Sequence, residues 1–174
     1  MALLMYKLKD DGRAAIVLPD GFLFGEGVKT TIKEKLLADF KLHTIVRLPK
    51  GVFEPYSDIN VNLLFLEKGA STNEIWFFEH PLPKDYRQYT KTRPIKLTEF
   101  DLEKKWLENK IENEYAWKVS IDDIKIRNYN LDFKNPLKQD DSEATLTPQE
   151  LIVKFKNSYA RVDKILSSLE KELI

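Results

Sequence analysis

Runs of apolar residues separated by short polar segments predict strands alternating with a helix in the first half of the chain. Residues 14–18 form a continuous apolar run, which is typical of a strand covered on both faces, and residues 42–48 have a similar composition. Between them, residues 28–40 place apolar side chains at helical spacing among lysines, which predicts an amphipathic helix. Strand, helix and strand in this order form the crossover unit of a parallel α/β sheet.

Two more strands are predicted at residues 60–67 and 73–79, and a short helix at residues 2–8. The loops before these two strands are too short for a crossover helix, so we expect both strands to be antiparallel additions to the sheet. A complete doubly wound sheet would need roughly three or four more strand–helix units. The pattern therefore predicts an edge portion of such a sheet.

The second half of the chain is more polar. Residues 81–94 contain three prolines and mixed charge, which predicts a loop, and residues 98–115 form a charged amphipathic stretch. Residues 117–133 are predicted as a turn of helix followed by an extended segment, and residues 134–145 as a polar linker.

A capping box at residues 147–150, with proline at the first helical position, predicts the start of a C-terminal helix. Its apolar residues recur at steps of four and three for about three heptads. The residues of this stripe are Leu151, Phe155, Tyr159, Val162, Leu166, Leu169 and Leu173. Such a stripe needs a partner, and it can fold back on the same domain or pack on another subunit.

Composition narrows the class of protein. The 28 basic residues balance 28 acidic ones, so any contact with DNA must use local patches or a larger assembly. The absence of cysteine excludes disulfides and thiolate metal sites. No run approaches the roughly 18 apolar residues of a membrane span, and we expect a soluble, cytoplasmic protein with no membrane partner.

The loop at residues 48–56 carries the first candidate chemistry. It joins two predicted strands and holds Phe53 and Tyr56 beside Lys50. Aromatic residues in a polar loop at a strand end are where a base-flipping enzyme stacks on an extruded base. The alternative on spacing alone is that Phe53 packs into the sheet.

Several segments, in this order, resemble the DNA adenine-N6 methyltransferases, and specifically the modification subunit of type I restriction–modification systems. The resemblance spans about residues 5 to 136, and its segments are 9–19, 48–53, 61–66, 79–83, 104–106 and 127–132. The intact family enzyme transfers a methyl group from S-adenosylmethionine to adenine N6 after flipping the base. The resemblance assigns base stacking to Phe53, with Lys50 and Tyr56 as loop support.

The resemblance also implies a fold and partners. The expected fold is α/β: the C-terminal portion of a Rossmann-like, S-adenosylmethionine-dependent methyltransferase sheet with antiparallel additions, plus a C-terminal helical extension. Residues 1–136 would be the C-terminal part of the catalytic domain, 137–146 a linker, and 147–174 an amphipathic helix for subunit docking. The implied partners are the DNA-specificity and restriction subunits, and duplex DNA in the assembled complex.

The chain departs from the family pattern in two motifs. Gly25-Glu-Gly27 has no proper strand before it and is a poor counterpart of the donor-binding turn, and Asp39 lies too early for the ribose-binding acid. The Asn/Asp-Pro-Pro-Tyr/Phe motif is absent, and residues 135–137 are predicted as a turn. We therefore expect a fragment with no catalytic or cofactor-binding residues of its own, inactive alone and not binding S-adenosylmethionine alone. The alternative is a non-catalytic module that docks a specificity subunit through its C-terminal helix.

The remaining polar residues are predicted to have structural roles or to contact phosphates. His43 and His80 lack the spacing of metal ligands and are expected to be structural, and the acidic pairs 122–123 and 140–141 are expected to be caps and linker. The five basic residues of the segment 84–96 alternate with Tyr86 and Tyr89: Lys84, Arg87, Lys91, Arg93 and Lys96. The first four are candidates for phosphate contacts, and the alternative is a solvated loop.

Overall fold

The computed structural model describes residues 1–137 and, further along, residues 152–153, 155–159 and 161–163. The elements, in chain order, are α1 (Ala2–Lys7), β1 (Arg13–Pro19), α2 (Asp20–Leu23), α3 (Val28–Asp39), β2 (Phe40–Arg47), β3 (Val61–Lys68), β4 (Glu74–Glu79), a 3₁₀ turn (Leu97–Phe100), α4 (Asp101–Glu108), β5 (Ala116–Ser120) and α5 (Ile121–Ile126). The chain divides into two compact units, Met1–Lys138 and Gln139–Ile174. The predicted elements up to β4 are confirmed, with bounds shifted by one or two residues.

The five strands form one mixed sheet in the order β1-β3-β2-β4-β5. Strand β3 is antiparallel to both β1 and β2, β4 is parallel to β2, and β5 is antiparallel to β4. The carboxyl ends of β1, β2 and β4 therefore meet at one edge, which we call the carboxyl edge. Loops at such an edge are where α/β sheets hold their ligands.

The expectation that β4 is an antiparallel addition is wrong. The connection from β3 to β4 is short, but it passes the start of β2, so β4 pairs with β2 and runs parallel to it. Thr72 secures this passage, since its hydroxyl donates to the Phe40 carbonyl (2.7 Å) and accepts from the Leu42 amide (2.9 Å). A short connection fixes the direction of a strand relative to its predecessor, but not which strand becomes its neighbour.

The order predicted within residues 117–133 is also wrong, because the strand β5 comes first and the helix α5 second. Trp117 and Val119 alternate inward along β5, and the Trp117 ring stacks on Phe77 with a centroid distance of 5.4 Å. Ser120 then caps α5, its hydroxyl accepting from the Asp123 amide (3.1 Å). Aromatic and β-branched residues favour a pleated surface, and serine favours a helix start.

The two faces of the sheet are covered unequally. One face packs against α1, α3 and α5 through a large cluster that includes Leu36, Ile45 and Leu64. The other carries a smaller cluster around Phe78 and Trp106. Residues of β1 alternate between half-buried and exposed, and Val17 remains 44% exposed. In the part of the chain that is described, α1 and α3 cover only one face of β1. The expectation that β1 is covered on both faces is therefore wrong for these residues.

In the second unit, the described residues are helical, and the side chains of Phe155, Tyr159 and Val162 are exposed. The Phe155 and Tyr159 rings lie 6.2 Å apart, as expected for positions four residues apart on one helix face. The capping box and the four leucines of the predicted stripe lie outside the described residues. Among the helices that are described, none is long and apolar enough to cross a membrane.

Candidate functional site

The connection between β2 and β3 lies at the carboxyl edge and contains the 48–56 loop. The Leu48 amide donates to the Val61 carbonyl (3.0 Å) and closes the base of this connection. Inside the loop, the Glu54 amide donates to the Gly51 carbonyl (3.1 Å) and the Tyr56 amide to the Phe53 carbonyl (2.8 Å). These two turn bonds hold Phe53 at the tip of an ordered turn.

Phe53 is 43% exposed and belongs to neither hydrophobic cluster. Its neighbour Val52 is the residue that packs against the cluster around Phe78. Tyr56 is 92% exposed. The alternative in which Phe53 packs into the sheet is therefore not what the structure contains, and the loop presents two aromatic rings to solvent.

Lys50 forms an ion pair that links the start of the 48–56 loop to Asp58, just after its end. Its ammonium lies 2.8 Å from the Asp58 carboxylate, and both side chains are about half exposed. The hydrogen bond to that carboxylate, with its charge, raises the pKa of Lys50. Exposed pairs of this kind contribute little stability, so Lys50 orients the loop more than it stabilises the fold.

The rear of the loop rests directly on the backbone of Tyr89. Gly51 has a φ of 83°, and a Cβ atom there would lie 2.0 Å from the Tyr89 carbonyl oxygen. The Tyr89 amide donates to the Lys50 carbonyl (3.0 Å). Only glycine permits this approach and this conformation together, so the loop and residue 89 are fixed to one another.

Behind this contact lies a group of polar residues, the rear cluster, formed by the buried His80, Tyr89 and Glu103 and the half-buried Glu99. The Tyr89 hydroxyl donates to Glu99 Oε2 (2.6 Å) and lies 3.3 Å from His80 Nε2. The other ring nitrogen, His80 Nδ1, is hydrogen-bonded to Glu103 Oε1. Burial, together with the Glu99 carboxylate, raises the pKa of Tyr89, so its hydroxyl remains a proton donor. His80 is thus a buried structural residue, as expected.

The basic segment 84–96 meets the loop through the same tyrosine. Lys84, Arg87, Lys91 and Arg93 are exposed, and none of them takes part in an ion pair found among the described residues. Arg93 lies over the Tyr86 ring (5.5 Å), and that ring packs edge-on against Tyr89 (5.8 Å). The structure therefore brings the candidate phosphate contacts and the candidate stacking ring to the same edge of the sheet.

A polar pair at the end of β1 was not predicted from the sequence. Asn62 is fully buried, and its Nδ2 donates to Asp20 Oδ1 (2.6 Å), while its own Oδ1 has no hydrogen-bond partner. Asp20 directly follows the last residue of β1, and Asn62 interrupts an apolar strand. A polar residue inside a buried strand is the signal that would have identified the pair.

Two lysine side chains crowd one side of the Gly25–Gly27 turn. Lys33 is buried and donates to the carbonyls of Leu23 (2.7 Å) and Gly25 (2.9 Å), and burial, with the nearby Lys29, lowers the pKa of Lys33. A Cβ atom on Gly25 would lie 2.3 Å from the Lys29 side chain. Lysine side chains thus occupy the space at Gly25, whereas a Cβ atom on Gly27 would have no neighbour within 4 Å, so the crowding is confined to the Gly25 side of the turn.

A separate cleft of about 350 Å³ opens at the opposite edge of the sheet, lined by Lys41, His43, Glu67, Glu74, Trp76 and Lys110. The Lys110 ammonium donates to Thr44 Oγ1 (2.8 Å), and His43 Nδ1 lies at the same distance from that oxygen. Burial and then the Lys110 charge lower the pKa of His43, which keeps its ring neutral. His43 is therefore held by a neighbouring hydroxyl group and lies far along β2 from the 48–56 loop.

The other candidate polar groups have local roles. Asp122 and Asp123 lie in the first turn of α5, where Asp123 Oδ2 accepts from the Ser120 hydroxyl (2.7 Å). Asn135 forms a turn, its Oδ1 accepting from the Leu137 amide (2.8 Å). Asp140 and Asp141 lie outside the described residues. In the part of the chain that the structure describes, no group of three or more His, Cys, Asp or Glu side chains is placed to hold a metal ion.

Known proteins match this arrangement over most of the chain. Residues 1–145 match the sequence model of the N-6 DNA methylase family. The methylase subunit of the type I restriction enzyme EcoEI from Escherichia coli is 47% identical over an alignment of 176 residues, which covers 97% of this chain. The chain spans 36% of the length of that relative.

Two solved structures have the same fold. One is a modification subunit, assigned to a type I restriction enzyme, from Vibrio vulnificus YJ016, with a TM-score of 0.77 and 44% identity; the match covers 82% of this chain and 32% of that one. The other comes from a study of complex assembly and conformational transition in a type I restriction–modification system, with a TM-score of 0.76 and 32% identity over 98% of this chain and 38% of that one.

Proposed function

The chain belongs to the N-6 DNA methylase family, and we propose that it forms the target-base side of a type I modification subunit that methylates adenine N6 in duplex DNA. The observation that carries the proposal is the exposed Phe53 ring on an ordered loop at the carboxyl edge. The similarity to methylase subunits favours this function over that of a non-catalytic interaction module.

Phe53 stacks on the flipped adenine in this proposal. An extruded base loses its neighbours in the duplex, and an aromatic ring replaces that stacking with about 1–3 kcal/mol per base. A ring that packs in the core could not do so, but Phe53 lies outside both clusters. Lys50 and Tyr56 support the loop. Lys50 forms an ion pair with Asp58, and the backbone amide of Tyr56 donates a hydrogen bond to the Phe53 carbonyl.

The basic segment supplies the phosphate contacts. Lys84, Arg87 and Lys91 are exposed cations without an ion pair in the described part of the chain, and Arg93 lies over Tyr86. Cations of this kind bind phosphate oxygens without reading sequence, so they would orient the duplex relative to the loop. The DNA target sequence would then be read elsewhere, by a DNA-specificity subunit.

The methyl donor belongs to the rest of the enzyme in this proposal. S-adenosylmethionine would supply the methyl group, and the proposal leaves its binding to other residues of the enzyme, because lysine side chains crowd Gly25 in the one candidate turn of this chain. The outer edge of β1 has no partner strand among the described residues, and Val17 beside it is exposed. A Rossmann-like sheet that carries the donor would continue at this edge.

Assembly into a type I complex completes the proposal. Residues 147–174, after a linker at 137–146, would dock the DNA-specificity subunit, and the restriction subunit would join the same complex. The exposed Phe155, Tyr159 and Val162 support docking, because an apolar helix stripe is stable in water only when it is covered. Since the substrate is cellular DNA, we propose a cytoplasmic location.

A chimaera with the EcoEI methylase subunit tests the proposed role of Phe53. The matching 36% of that subunit is replaced by this chain, the chimaera is assembled with the EcoEI DNA-specificity subunit, and methylation of EcoEI-site DNA is measured with labelled S-adenosylmethionine. We expect Phe53→Ala to lower the methylation rate by about 5- to 100-fold, the equivalent of one lost stacking contact. Phe53→Tyr should retain most activity, and Tyr6→Ala, which removes an exposed ring from α1, is the matched control. Equal rates for Phe53→Ala and the control would contradict the proposal.

Calorimetric titration tests the assignment of the donor site. We expect no heat of binding when S-adenosylmethionine is added to this chain alone, and binding when it is added to the chimaera. Micromolar affinity for the isolated chain would contradict the assignment.

A further inference from the structure

The rear cluster is expensive to bury. His80, Tyr89 and Glu103 are almost completely inaccessible to solvent, and Glu103 Oε2 has no hydrogen-bond partner. Replacing a buried charged group by apolar residues of similar size is often neutral or stabilising, so stability alone does not account for the cluster. A polar cluster does fix one arrangement of its members, because each hydrogen bond has a required direction.

The hydrogen bonds of the cluster fix Tyr89 on every side. Its hydroxyl gives its only proton to Glu99, and Glu99 is itself fixed by a bond from the Lys96 amide to Oε1 (2.8 Å). His80 lies against the hydroxyl oxygen and is anchored by Glu103 on its far side. The His80 amide in addition donates to the Arg47 carbonyl (2.9 Å), which ties the cluster to the end of β2.

The backbone of Tyr89 also packs directly against the 48–56 loop. Its amide donates to the Lys50 carbonyl, and Gly51 lies against its carbonyl group. A displacement of Tyr89 would therefore displace Lys50 and Gly51, and with them the turn that carries Phe53. The carboxylates of the rear cluster are therefore connected to the turn of Phe53 through Tyr89 and its two backbone contacts, with Lys50 and with Gly51.

We propose that Tyr89, held by His80 and Glu99, is a positioning residue that sets the conformation of the 48–56 loop. The proposal rests on the proposed function for its consequence, since a correctly placed Phe53 is what base stacking would need. The placement of the loop itself is a property of this chain and can be measured without DNA or a methyl donor.

Amide hydrogen exchange of the intact chain tests the placement. The Glu54 and Tyr56 amides report on the loop, and the Ile45 and Val46 amides of β2 report on the sheet. Tyr89→Phe removes the hydroxyl that contacts both Glu99 and His80, and should speed exchange at the two loop amides by about tenfold while leaving the β2 amides unchanged.

Two further variants provide the controls. Tyr86→Phe removes a hydroxyl from the neighbouring tyrosine, for which the structure gives no hydroxyl hydrogen bond, and should change no amide. Glu99→Ala should reproduce Tyr89→Phe, whereas Glu99→Gln keeps an acceptor for the tyrosine and should restore slow exchange. Unchanged loop amides in Tyr89→Phe would overturn the inference, as would equal acceleration of the loop and β2 amides, which would indicate a purely structural role.

Methylation by the chimaera separates this inference from the proposed function. With a misplaced loop, Tyr89→Phe should lower kcat by about tenfold and leave KM for DNA unchanged, because the phosphate contacts are intact. If the exchange rates respond but Phe53→Ala methylates normally, the positioning role stands and the proposed function fails. If Phe53→Ala is inactive but exchange does not respond, the positioning role fails and the proposed function stands.

Discussion

The front of the 48–56 loop presents aromatic rings to solvent, whereas the back of the same loop rests on buried polar groups. This reverses the usual distribution, in which rings are buried and carboxylates are solvated. At the front, Phe53 and Tyr56 contribute little to the core. At the back, His80 and Glu103 are buried at a cost. Both departures make sense together if the loop must offer a ring to a ligand and hold it in one place.

The largest difference in the free energy of unfolding should appear between alanine variants of two phenylalanines, one in the core and one at the front of the loop. Phe78 is fully buried and lies 5.0 Å from the Trp106 ring. Phe78→Ala should lower the free energy of unfolding by about 4 kcal/mol because it leaves a cavity. Phe53→Ala should lower it by less than about 1 kcal/mol. Urea denaturation followed by tryptophan fluorescence measures both, and comparable losses would mean that Phe53 is a core residue after all.

Two glycines with positive φ give the next largest difference. Gly51→Ala adds backbone strain at φ 83° and a clash with the Tyr89 carbonyl, and should cost about 3 kcal/mol. Gly27→Ala has the strain alone, at φ 65° and ψ −124° with no atom within 4 Å, and should cost about 2 kcal/mol. The same denaturation measurement applies. If the two substitutions are equally costly, the close approach of the loop to Tyr89 is not formed in solution.

The front of the loop was predictable from the sequence and the back was not. An aromatic residue in a polar loop between two apolar runs is a local pattern, and it made Phe53 a candidate and predicted the strands on either side, although spacing alone also allowed the ring to pack into the sheet. The contact between Gly51 and Tyr89 joins residues far apart in the chain, and no local pattern reports it. The prediction of an antiparallel β4 failed for the same reason, because the direction of β4 depends on its pairing with β2, which is also far from it in the chain.

Lys33 illustrates a second limit of sequence patterns. Lysines spaced along an amphipathic helix predict a solvated face, and most lysines of α3 are exposed. Lys33 is buried because the carbonyls of Leu23 and Gly25 lie where its ammonium reaches them. Only the arrangement of α2 against α3 decides this, so the residue type alone is uninformative.

A smaller effect concerns the basic segment beside the loop. In the chimaera, replacing Lys84, Arg87, Lys91 and Arg93 by glutamine should weaken DNA binding by about tenfold or more at low salt and reduce the salt dependence of log K by about four. Fluorescence anisotropy at several salt concentrations measures both. Replacing Lys7, Lys9, Lys35 and Lys125, which lie on or beside α1, α3 and α5, is the charge-matched control. An unchanged salt dependence in the first variant would support a merely solvated loop.

The smallest effect lies at the opposite edge of the sheet, in the cleft that the proposed function does not use. The folded state lowers the pKa of His43 below its usual 6.5, first through burial and then through Lys110. The unfolded chain therefore binds more protons in acid, so this contribution to stability is present above pH 6.5 and is lost as the pH falls through the folded pKa.

Lys110→Gln should raise the pKa of His43 while burial still holds it down, and Lys41→Gln should raise it less. NMR titration of the ring protons measures these shifts. If the pKa of His43 does not respond to Lys110→Gln, the Lys110 charge does not act on His43 across the cleft. Methylation by the chimaera should be the same for both variants, since the 48–56 loop and its rear cluster lie at the carboxyl edge.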